Sequence, residues 1–178
     1  SFIQNNTESP SKISIIPTTK GALGFSMSPS SEKKLISKNE LLQKMAVLIA
    51  GRCSEQIFVN EVSTGAYDDL EKIKSLQKNF IKKYGFSDNF KNMNMDDDIS
   101  EYCKNEIDKE LVYLNNKIIS YVNGILNGYK KDVKKVYDTL IEKEEIDGDE
   151  LREILGSDKE NMICFDLNCK SSEYDNSR

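Results

Sequence analysis

No histidine occurs among the 178 residues, so the chain has no imidazole to offer a metal. Long apolar runs are missing as well: the longest, Met45 to Ala50, falls far short of the ~20 residues that cross a bilayer. The first ten residues, Ser1 to Pro10, are polar and lack the apolar centre of a secretory signal. There is no G-x-x-x-x-G-K-S/T loop to cradle nucleotide phosphates. Basic residues are not in excess, since 25 Lys and Arg face 30 Asp and Glu for a formal charge of −5, which disfavours a nucleic-acid partner. Cysteine is sparse: Cys53 and Cys103 stand alone, and the close pair Cys164 and Cys169 has no second pair to complete a zinc ribbon. Reduced, structural or incidental thiols are expected, with a disulfide as the alternative, because a chain of this length can bury a core without one.

What is present is mostly helical pattern with a small β-element near the N-terminus. Lys12 to Pro17 and Ala22 to Met27 read as two short strands that form a hairpin or small sheet, separated by turn residues. Ser37 and Glu40 have capping-box spacing, and the helix they open sends Leu41, Leu42, Met45, Leu48 and Ile49 to one face. Arg52 and Glu55 are spaced for an ion pair on its last turns. A second helix, from Gly65 to about Tyr84, is expected to bury Leu70, Ile73, Leu76, Phe80 and Tyr84, with Gly85 as its C-terminal cap. Ile99 through Val122 repeats at three- and four-residue intervals, with a break expected at Asn123-Gly124 or Asn127-Gly128. Val133 to Ile141 is a further amphipathic helix, and Asp147 to Glu150 opens a short one through Leu155. The expected division is a flexible lead-in over 1–11, a domain over 12–155 with halves at 12–90 and 99–155, and a loosely ordered tail over 156–178.

The segment Ser63-Thr64-Gly65-Ala66-Tyr67-Asp68-Asp69-Leu70 carries the chemistry that the rest of the chain lacks. Thr64 can cap a helix with its hydroxyl, the two small residues after it admit close backbone, and an acidic pair follows at a fixed angle. Such rigidity suits a metal ligand. The competing assignment is that Asp68 and Asp69 complement the helix macrodipole, as first-turn acids commonly do.

Taken in order, Lys12-Ile13-Ser14-Ile15-Ile16-Pro17, Gly21-Ala22-Leu23-Gly24-Phe25, Glu40 through Arg52, Thr64 through Asp69, Tyr84-Gly85-Phe86-Ser87 and Ile146 through Leu151 resemble the peptidase domain of FtsH-type ATP-dependent zinc metalloproteases. The resemblance implies a mainly helical zinc-peptidase fold from about Lys12 to Leu155. It makes Asp69 the third zinc ligand, with Thr64 and Asp68 as supporting neighbours. It also makes Gly21 to Phe25 an edge strand on which an extended polypeptide substrate pairs. In that family an H-E-x-x-H helix precedes the segment resembling Lys12 to Pro17, and its two histidines and glutamate supply the other ligands and the general base. Its absence here implies that the chain starts just after that helix and has no catalytic residue of its own, so it is inactive alone. The family further implies a homo- or hetero-hexameric parent in a bacterial inner, mitochondrial inner or plastid membrane. ATP and magnesium would bind in a separate module, and the peptidase domain itself would make no membrane contact. Two other readings stand beside this one: a non-catalytic assembly relative, and a metal or redox module built on Cys164 and Cys169.

Overall fold

Residues 10–17, 24–27, 35–95 and 98–156 are described by a computed structural model. The described residues divide into two units, one of those up to 35 with 126–156 and one of those within 36–125.

In the second unit, Ser37 starts helix α1 (Lys38–Ser54) through the expected capping box. The Glu40 N–H donates to Ser37 Oγ at 3.2 Å, and the Ser37 N–H donates to Glu40 Oε2 at 2.8 Å. Leu41, Leu42, Met45, Ala46, Ile49 and Cys53 lie buried at helical spacing along α1. A single 3₁₀ turn (Thr64–Ala66) leads into α2 (Tyr67–Lys78), which passes into a π-turn (Asn79–Lys83). Helix α3 (Glu101–Gly128) buries Ile107, Leu114, Ile118, Tyr121 and Val122. Gln77 Nε2 donates to Asn115 Oδ1 at 3.1 Å, tying α2 to α3.

One detail of the pattern differs from expectation. Ile73 and Phe80 are buried, but Leu70 and Tyr84 are 36% and 44% exposed. The π-turn explains Tyr84, since an i→i+5 turn resets the angular phase that a 3.6-residue repeat extrapolates. Leu70 sits one residue past Asp69, at the edge of the buried stripe. Of the two break points expected in α3, the helix runs through Asn123-Gly124 and ends at Gly128. A mid-helix glycine costs only ~1 kcal/mol, which burial of Ile118, Tyr121 and Val122 outweighs.

Gly85 follows the π-turn at φ +57, where its N-terminal neighbours turn sharply into the loop. A Cβ there would meet Met93 N and O at 2.7 Å, so only glycine admits that backbone. The Asn92 N–H donates to Gly85 O at 3.0 Å, and Phe86 packs edge-on to Phe80 at 5.6 Å.

The first unit is organised by a three-stranded antiparallel sheet in the order β2-β1-β3, from β1 (Lys12–Ser14), β2 (Phe25–Met27) and β3 (Glu145–Asp147). Ile13 faces Ser26 on one side and Ile146 on the other. Ile146 and Ser14 are almost fully buried, and Lys12 pairs with Glu145 at 2.9 Å. The third strand was not anticipated. Helix α4 (Lys130–Lys143) precedes β3, with Glu144 at φ 65 as its left-handed C-cap. Asp147 then caps α5 (Gly148–Leu155), its Oδ1 accepting from the Asp149 and Glu150 N–H groups at 3.0 and 2.8 Å. Residues 18–23, the lead-in 1–9 and the tail from 157 onward lie outside the described residues, and so do Cys164 and Cys169.

Candidate functional site

Asp69 reaches its position through a polar clamp that begins at the end of α1. After Ser54 the chain widens into a π-turn (Glu55–Val59), and Asn60 takes a left-handed conformation at φ 58. This reversal returns Ser63 to the residues that closed α1. Arg52 Nη1 donates to Ser63 O at 2.7 Å. The Ser63 N–H and hydroxyl donate to the two carboxylate oxygens of Glu55, at 3.2 and 2.6 Å. Arg52 and Glu55 are themselves 3.8 Å apart. Hydrogen bonds from the Ser63 hydroxyl and then its backbone N–H, with the Arg52 charge adding to them, hold the Glu55 carboxyl below its usual range.

Ser63 also caps the helix start. Its backbone is extended, and its Oγ accepts from the Gly65 N–H at 3.2 Å. This corrects the expectation for Thr64, which lies already inside the 3₁₀ turn, exposed to solvent, where a capping residue's extended backbone is not available. From that start Tyr67 and Asp68 project outward and are exposed, whereas Asp69 is half-buried. Lys72 Nζ donates to Asp69 Oδ1 at 3.1 Å, one helical turn on. Sequence reasoning overlooked both Ser63 and Lys72. The i, i+3 spacing of Asp69 and Lys72 was a readable signal, whereas the Ser63 clamp depends on a chain reversal.

The donor set does not fit zinc. A catalytic zinc site takes three protein ligands and an open position. Here histidine is absent, and among the described residues no group of three or more His, Cys, Asp or Glu side chains is placed to share a metal. Cys53 is buried, which pushes its thiol up, and Cys103 is half-buried. Among the described residues, Asp69 is not joined by two further donors that would complete such a site.

Of the strand expected to hold substrate, Gly21, Ala22 and Leu23 fall outside the described residues. Phe25 opens β2, the sheet's edge in the first unit, and Gly24 immediately precedes it. A Cβ on Gly24 would come within 2.8 Å of Ser14 O, so glycine lets this stretch lie against β1. Among the described residues the outer edge of β2 carries no further strand.

Comparison with known proteins shows the family. Residues 1–154 match the model of peptidase family M41. The chain belongs to that family. It is 30% identical over 179 residues to an ATP-dependent zinc metalloprotease FtsH of Thermotoga maritima, covering 92% of this chain and 29% of the relative. It is 32% identical over 164 residues to the protein of that name from Clostridium perfringens, covering 85% and 23%. The Helicobacter felis protein of that name is 33% identical over 159 residues, covering 81% and 25%. The chain thus spans less than a third of the length of each of these relatives.

Proposed function

We propose that this chain is part of the peptidase domain of an ATP-dependent zinc metalloendopeptidase and supplies Asp69 as the carboxylate ligand of its catalytic zinc. Membership of peptidase family M41, together with the clamp that fixes the helix start at Ser63, supports this reading. The observation that carries it is a carboxylate held at fixed angle on that start in a chain of this family. Zinc held by Asp69 and a complete ligand set would supply an activated water for attack on a peptide carbonyl. The residues of this chain position one donor for it, and the remaining donors and the general base come from residues this sequence does not contain. Alone, the chain cleaves no unfolded protein.

An extended polypeptide substrate would add to the open edge of β2 at Gly24 and Phe25, continuing the strand through Gly21, Ala22 and Leu23. Thr64 and Asp68 support the ligand from its own turn. The parent protein is a membrane-anchored hexamer whose ATP and magnesium sit in a separate module. A non-catalytic assembly role is the second reading, and an intact H-E-x-x-H helix elsewhere in the whole protein would exclude it.

The deciding experiment is Asp69→Asn in the whole protein. Zinc content and cleavage of a casein-like substrate are expected to fall together, while ATP hydrolysis stays near the wild-type rate. Full zinc occupancy with normal cleavage would reject the assignment. A wild-type protein that holds no zinc and cleaves nothing would establish the assembly role.

A further inference from the structure

The chain belongs to a zinc-protease family, yet its described residues bring no three metal donors together, which bears on folding. The helix start that carries Asp69 is fixed by groups of this chain alone: Arg52 on Ser63 O, Glu55 on the Ser63 hydroxyl and N–H, and Ser63 Oγ on the Gly65 N–H. The carboxylate itself already has a cation, Lys72 at 3.1 Å. The acids around it are otherwise directed: Asp68 is exposed, and Glu71 lies 3.7 Å from Lys74. Nothing at this helix start requires a metal to close it.

We propose that the chain folds, and holds Asp69 in its position at the helix start, without zinc, with Lys72 serving as the counter-ion of that carboxylate. This rests on the reading of Asp69 as a ligand only for its significance. Structural zinc sites behave in the opposite way, because their ligands are brought together by the metal and the fold is lost with a chelator. Here the polar clamp is made before any metal arrives, and zinc meets a ready-made but solitary oxygen.

The purified chain, dialysed against a chelator and then offered zinc, provides the test. Zinc retained after gel filtration is expected below about 0.1 per chain, since one carboxylate is two ligands short of a site. The unfolding temperature is expected to differ by less than about 1 °C between chelator and zinc. A site occupied at 100 times its Kd would instead raise it by roughly 5–10 °C. Amide exchange at residues 64–70 is expected to be equally slow in both conditions, and faster in both for Ser63→Ala. One zinc held per chain, or amides at 64–70 that become protected only when zinc is added, would overturn the proposal. Either result would leave the Asp69→Asn experiment on the whole protein free to succeed or fail by itself.

Discussion

The two ends of helix α2 are built on different physics. At its C-terminal end, Phe80 and Ile81 are essentially sealed from solvent and Gly85 lies against the backbone of Asn92 and Met93. At its N-terminal end no residue from Ser54 to Lys72 is buried, and the chain is held by hydrogen bonds among Arg52, Glu55 and Ser63. One end anchors the helix by apolar burial and steric fit. The other aims a carboxylate by directional polar contacts, leaving it accessible. The difference separates stability from chemistry along a single helix, so changes at one end should leave the other largely intact.

The largest effect is expected at the buried end. Phe80→Ala should cost about 3–5 kcal/mol, from lost burial and the cavity left beside Phe86, read as a lower denaturation midpoint. Gly85→Ala should cost about 2 kcal/mol, because a side chain at positive φ is strained and its Cβ would strike Met93; the same denaturation curves measure it. At the polar end, Ser63→Ala should cost only about 1 kcal/mol, typical of a lost cap. Its signature is local: amides at 64–70 exchange faster while those around Phe80 keep their protection. Comparable losses from Phe80→Ala and Ser63→Ala would erase the distinction between the two ends.

The smallest effect is a pH dependence. The folded-state pKa of Glu55 lies below its usual 4.5, so the clamp contributes fully above that value. The contribution is lost as pH falls through the lowered folded pKa. Wild-type protein should therefore lose stability in acid more steeply than Glu55→Gln, with the difference confined to pH below about 5. Parallel curves across that window would mean that the clamp does not couple to Glu55 ionisation.

Local signals in the sequence translated well where one helix turn contained all the partners. The Ser37 and Glu40 box, the Asp147 cap, Gly85 and the buried residues of α1 follow from neighbours within four positions. What escaped was whatever joins distant residues. The strand Glu145–Asp147 is only three residues long and pairs with Lys12–Ser14 across most of the chain, leaving no periodicity for a local reading to detect. The site divides in the same manner. The helix start around Asp68 and Asp69 was legible from its own residues. By contrast, Ser63 in the role expected of Thr64 depends on the Asn60 reversal that returns it to Arg52 and Glu55. Gly21, Ala22 and Leu23 lie outside the described residues, so their part in substrate pairing rests on the resemblance to the family, and so does the choice of Asp69 over Asp68 as a ligand.

The most direct test of the central claim is crystallography of the whole protein with anomalous data at the zinc edge. The account predicts a single zinc peak about 2.0–2.2 Å from an Asp69 carboxylate oxygen, with Lys72 displaced from that oxygen and the Arg52, Glu55 and Ser63 clamp unchanged. A zinc ion whose ligands do not include Asp69 would contradict it.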